Sequence, residues 1–63
     1  MNKEQIKKIR KKLIITQIEF AEVLGVSQMT VYKWENGKAS PTPRHIKKIV
    51  EVCKQNNIDI EIQ

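Results

Sequence analysis

Cysteine occurs once in this chain, at Cys53, so no disulfide can form within it. Histidine also occurs once, at His45, which leaves no Cys/His spacing for a zinc site. Long apolar runs are missing. None approaches the ~18 residues of a membrane span, and the Lys-rich beginning has no signal-peptide core. A cytoplasmic location is therefore expected. Glycine is confined to Gly25 and Gly37, which excludes a phosphate-cradling glycine loop. No nucleophile–base pair or metal set is apparent, so neither an enzyme nor a cofactor is expected. At 63 residues the chain makes one small domain. Such a domain buries only about 60% of the surface its unfolded form exposes, so self-association would add stability.

What is abundant is positive charge: 12 Lys+Arg against 7 Asp+Glu, a net +5. Its distribution says more than its sum. Residues 1–15 carry six bases and one acid, and residues 38–54 carry five bases and one acid. Between them, residues 16–37 carry one base and three acids. An acidic central unit flanked by basic segments suits phosphate contacts on either side of a contact with bases. The competing reading is that the Lys-rich helix faces are merely solvated.

Four helices can be drawn. The first runs from Lys3 to Leu13, with Asn2 as its cap and Gln5 as the reciprocal partner. Ile6, Ile9 and Leu13 share one face, and Arg10 falls on that face too. The second spans Gln17–Leu24, opened by the capping-box pair Thr16 and Glu19 and ended by Gly25. Phe20, Ala21 and Leu24 should be buried. The third spans Gln28–Asn36, capped by Ser27, with Val31 and Trp34 inward. The fourth starts at the cap Thr42 and Pro43 and should bury Ile46, Ile49, Val50 and Cys53. His45 is expected to be an exposed polar residue.

Helices two and three are too short to stand alone in water and meet at a glycine turn, which is the pattern of a helix-turn-helix. The stretch Thr16-Gln17, Phe20-Ala21, Leu24-Gly25-Val26-Ser27, Val31 and Trp34-Glu35-Asn36-Gly37 resembles the Xre/Cro family of helix-turn-helix regulators, which includes the lambda-type phage repressors. The resemblance runs from about Ile6 to Val52. It implies an all-α, compact four-helix lambda-repressor-like domain over residues 1–56, followed by a tail, 57–63. It also implies a regulator, a repressor by expectation, that binds double-stranded DNA. Since one half-site of three or four base contacts barely discriminates against competing genomic sites, a two-fold dimer reading an inverted-repeat operator is expected.

With Val31 and Trp34 inward at about 100° per residue, Met29, Lys33 and Asn36 point away and Tyr32 lies at the side. Gln28 begins the helix, where members of this family place a base contact. Gln28 can pair with adenine, Lys33 can donate to guanine, and Met29 or Thr30 can pack on a thymine methyl. The expected base contacts are thus Gln28, Met29, Thr30, Tyr32 and Lys33. Met29 could instead fill a gap in the core, although its angle argues against that. The DNA backbone contacts are expected at Thr16, Gln17, Ser27, Asn36, Lys38, Ser40, Thr42 and Arg44. The resemblance places this anchoring role on Gln17, Asn36 and the loop after the third helix. Thr42 is a helix cap first, and Asn36 has the alternative of ending its helix.

Arg10 on a core-facing stripe is costly without a partner. Glu35 lies about 40° from Val31 and also leans inward. The resemblance implies that Arg10 and Glu35 pair and fix the recognition helix as a structural pair. Finally, Ile58-Asp59-Ile60-Glu61-Ile62 alternates apolar and acidic residues, the period of a strand. A lone strand has nothing to pair with, so Ile58, Ile60 and Ile62 are expected to form a homodimer strand, against the alternative of a frayed terminus. Ile14 and Ile18 fall off the core stripes. They could serve the alternative function, an antitoxin or other module that binds a toxin or another protein partner.

Overall fold

The computed structural model describes residues 1–59. Within them lie four helices: α1 (Lys3–Leu13), α2 (Gln17–Leu24), α3 (Gln28–Glu35) and α4 (Pro43–Gln55). No strand occurs among the described residues. Each start follows from a side-chain oxygen that accepts from an otherwise unsatisfied backbone N–H. Asn2 and Thr16 do so in full capping boxes with Gln5 and Glu19, while Ser27 and Thr42 act through the N–H groups of Thr30 and His45. Reciprocal hydrogen bonding leaves a mark on Glu19, whose carboxyl is held below its ordinary value by the Thr16 backbone N–H and hydroxyl.

The four helix ends share one construction. In each, a residue in the left-handed region turns the chain, and the next N–H reaches back five residues: Ile15 to the Arg10 carbonyl, Val26 to Ala21, Lys38 to Lys33 and Ile58 to Cys53. The turning residues are Ile14, Gly25, Gly37 and Asn57, with φ of 58°, 72°, 71° and 56°. Glycine and asparagine enter that region at little cost, whereas a β-branched residue there is strained. Ile14 is the misfit, and it is 89% exposed.

The core is Ile6, Ile9, Phe20, Ala21, Leu24, Val31, Trp34, Ile49, Val52 and Cys53. Its most extensive contact is α2 on α3, where buried Ala21 lets the helices approach; α1 lies across α3, and α4 closes against α2. One expectation needs correcting on α4: Ile46 and Val50 are half-buried, and Val52 takes an inside place. The stripe is rotated because α4 presents its C-terminal half, Ile49, Val52 and Cys53, to the bundle. The position of the partner helices decides this, and periodicity within α4 could not. Burial pushes the Cys53 thiol up, so it stays a neutral, small apolar group.

Ile58 is partly buried and packs on this same core, at the turn that closes α4. Ile60 and Ile62, the other residues expected in a dimer strand, lie outside the described residues.

Candidate nucleic-acid interface

Val31 and Trp34 are fully buried and seat α3 by its inner face. Its opposite face is therefore outside. Gln28 and Lys33 are exposed, Met29 is 55% exposed and Tyr32 lies at the boundary at 38%. Met29 thus fills no gap in the core. Thr30 is half-buried, and its hydroxyl is shared with that of Ser27 at 2.9 Å, which engages both side chains in the cap of α3.

Behind this face sits the one ion pair among the described residues. Arg10 Nε donates to Glu35 Oε2 at 2.7 Å and Nη2 donates to Oε1 at 3.0 Å, a two-point fork. A third donor, Nη1, reaches the Ile15 carbonyl at 3.0 Å, so one guanidinium ties α1, the α1–α2 elbow and α3 together. The Glu35 side chain is 1% exposed and that of Arg10 is 17% exposed. Burial pushes the Glu35 carboxyl up, but the hydrogen bonds from Arg10 and Gln17, with the charges of Arg10 and Lys7, outweigh it and hold it below its ordinary value. Arg10 is correspondingly raised by its hydrogen bond to Glu35.

The carboxylate reaches the outer face through a relay. Gln17 Nε2 donates to Glu35 Oε1 at 3.3 Å, and Gln28 Nε2 donates to Gln17 Oε1 at 3.2 Å. An ionised carboxylate only accepts, so it orients the Gln17 amide with its NH2 inward and its oxygen toward Gln28. Gln28 then holds its own amide with one free N–H and a free oxygen. That is the donor–acceptor pair complementary to an adenine edge in the major groove. A helical wheel could place Arg10 and Glu35 near the core, but the relay from Glu35 through Gln17 to Gln28 passes between α3 and α2 and needs their packing to be seen.

The remaining expected residues divide into those held by the protein and those free of it. Thr16 and Thr42 are engaged as caps, and Asn36 Nδ2 donates to the Tyr32 carbonyl at 2.8 Å, so it also ends its helix. Lys38 lies over the Tyr32 ring with Nζ 5.6 Å from the centroid, which keeps its charge beside α3. Ser40 and Arg44 are exposed, the latter in the first turn of α4. His45 departs from expectation: it is half-buried, with its ring centroid 5.2 Å from that of Trp34 and Nδ1 3.0 Å from the Thr42 hydroxyl. Trp34 offers it an apolar face that sequence spacing alone did not reveal.

Two short helices joined by a left-handed glycine, the second buried on one side and bare on the other, form a helix-turn-helix, and the sequence profile of the helix-turn-helix family matches residues 6–58. The chain belongs to this family, in its Xre/Cro type. As a member, it carries a DNA-binding regulatory domain. Among curated proteins it is similar to the antitoxin PezA of Streptococcus pneumoniae, 33% identical over 57 residues. It is also similar to the type II methyltransferase M.SsoII of Shigella sonnei, 39% identical over 49 residues. The matches cover 90% and 73% of this chain but only 36% and 13% of those relatives, so the chain spans a minor part of their length. No solved structure matches it significantly. No helix among the described residues is long and apolar enough to cross a membrane, and no cluster of His, Cys, Asp and Glu there could hold a metal ion.

Proposed function

We propose that this Xre/Cro-type domain is a sequence-specific double-stranded DNA-binding transcriptional repressor that inserts α3 into the major groove. The observation that carries the reading is the bare outer face of α3, with the Gln28 amide held by Gln17 and ultimately by Glu35. Gln28, Met29, Lys33 and, at the sides, Thr30 and Tyr32 read bases. Thr16, Gln17, Ser27, Asn36, Lys38, Ser40, Thr42 and Arg44 hold the sugar–phosphate strands. Three or four base contacts at ~1–3 kcal/mol each must compete with ~10⁶ or more genomic sites. One half-site barely suffices. We therefore assign a homodimer that reads an inverted repeat with half-sites about 34–36 Å apart, joined by the part of the 57–63 tail that follows Ile58.

In vitro selection from random duplexes tests this directly, because it yields the motif and its symmetry together. Gln28→Ala should relax preference at one position for about 1–3 kcal/mol, while Lys38→Ala should weaken all sites alike. Equal losses on every sequence for both variants would undo the assignment.

A second reading is a protein-binding module such as an antitoxin. It is favoured by the antitoxin relative and by the exposure of Ile14 and Ile18, at 89% and 59%. Salt separates the two, since phosphate binding weakens steeply with added salt and an apolar interface hardly changes.

A further inference from the structure

The expected DNA-backbone residues all lie between Thr16 and Arg44. The most basic helix, α1, received no role beyond Arg10. Its lysines divide by helical position: Lys3 and Lys7, at four-residue spacing, lie nearest Arg10, Lys11 continues that row at the side, and Lys8 and Lys12 lie farthest from Arg10, in a second cleft that Lys7 also borders. The Arg10 flank faces the C-terminal end of α3, because Arg10 itself is bonded to Glu35.

A cleft of about 310 Å³ opens at that seam, lined by Lys3, Glu4, Lys7, Glu35 and Asn36. Lys3 lies along the Gly37 backbone: a Cβ built on Gly37 would sit 3.3 Å from Lys3 Cδ and 3.9 Å from Nζ. Lys7 is close enough for its charge to act on the Glu35 carboxylate. Glu35 is already satisfied by Arg10 and Gln17. Among the described residues, neither lysine has an ion-pair partner of its own. Two uncommitted ammonium groups therefore stand beside Asn36 and the start of the loop that carries Lys38.

We infer that Lys3 and Lys7 form a second phosphate-binding site, which takes phosphodiesters of the same DNA strand as Asn36 and Lys38 and extends the interface from the α3 loop onto α1. The inference rests on the DNA reading above. With α3 in the major groove, its carboxy end and following loop meet a bounding sugar–phosphate strand, and the cleft continues that line. Charge complementarity identifies the occupant, because the cleft presents two amines and an amide against one exposed carboxylate, Glu4, while its buried carboxylate, Glu35, is neutralised from behind by Arg10. Phosphate contacts of this type add affinity without adding sequence preference.

The test is the salt dependence of binding to a fluorescein-labelled mixed-sequence duplex, followed by anisotropy between about 50 and about 200 mM salt. Each lysine that engages a phosphate contributes about 0.9 to the slope of log K against log salt. Lys3→Gln and Lys7→Gln should each flatten the slope by about that amount, and the double variant by about twice it. Lys8→Gln and Lys12→Gln, on the opposite flank, should leave the slope unchanged. All these positions are exposed except for contacts made by flexible side chains, and coincident melting curves confirm that the variants fold. A wild-type slope for the Lys3/Lys7 double variant, with Lys38→Gln flattened, overturns the site and leaves the DNA reading standing. An equal effect of all four α1 variants also overturns it, as it would reflect net charge alone. Failure of every protein, wild type included, to bind the duplex removes the DNA reading and this inference with it.

Discussion

Glu35 is the residue on which core and surface meet. It is buried, it neutralises Arg10, and through Gln17 it orients Gln28. Breaking a buried pair by removing one partner typically costs 3–5 kcal/mol, because the survivor is left uncompensated. A domain of this size has a total stability of roughly 3–9 kcal/mol. Glu35→Ala is accordingly expected to lower stability by about 3–5 kcal/mol and to populate the unfolded state at ordinary temperature, read by circular dichroism during urea unfolding. Arg10→Met should cost at least as much, since it strands the more deeply buried partner. A wild-type-like midpoint for either variant would contradict the role given to the pair. Acid should act through the same group. The Glu35 carboxyl is depressed in the fold below its ordinary value of 4.5, so the unfolded chain takes up a proton first. The stability it contributes is complete above that ordinary value and is lost as pH falls through the depressed one. The melting temperature should therefore drop below about pH 4.5, and Glu35→Gln should drop less steeply there. Glu19 titrates with the same sign but is exposed, so its share is small.

At the scale of elements, the helix ends offer the sharpest comparison. Gly25 and Ile14 occupy equivalent left-handed turns after α2 and α1. A Cβ on Gly25 would meet nothing within 4 Å, so Gly25→Ala isolates the backbone cost, about 1–2 kcal/mol of destabilisation. Ile14 already incurs that cost, and its exposed side chain has no packing to lose. Ile14→Gly should raise stability by about 1 kcal/mol, or about 4–8 °C in melting temperature. A lower melting temperature for Ile14→Gly would show that the isoleucine makes a compensating contact. Helix starts were legible in the sequence, because a cap is a local pairing of residues three apart: Asn2 with Gln5, Thr16 with Glu19, Ser27 with Thr30. Of the ends, Gly25 was legible, whereas the left-handed Ile14 and Asn57 were not. The inward face of α4 was legible only in part: Ile49 and Cys53 are buried as expected, but Val52 was missed. Val50 and Val52 both fit an amphipathic stripe, and only the position of the neighbouring helices selects Val52.

For the whole molecule, the proposed dimer is testable through the tail. Ile58 already packs on its own core and its N–H closes α4, so a truncation to test the tail should spare it. Deleting residues 60–63 is expected to convert the proposed dimer to a monomer in sedimentation equilibrium while leaving the melting temperature of the monomeric fold nearly unchanged. An unchanged sedimentation mass would remove the tail from the assembly. Loss of the dimer should also weaken binding to an inverted repeat far more than to a single half-site, because the second half-site is then no longer bound intramolecularly.

Short-range order in the chain is enough to specify where each helix begins, that α2 and α3 are joined by a glycine turn, and which face of α3 is apolar. These depend on hydrogen bonds and periodicities within a few residues, and each is written locally. Packing settled the rest. It turned α4 to bury Val52, laid His45 against Trp34, linked Gln28 to Glu35 through Gln17, and brought Lys3 beside Gly37. Those pairs lie 11 to 34 positions apart in the chain. Their meeting is governed by the angles and separations at which the helices pack, quantities that no local pattern of residue types encodes.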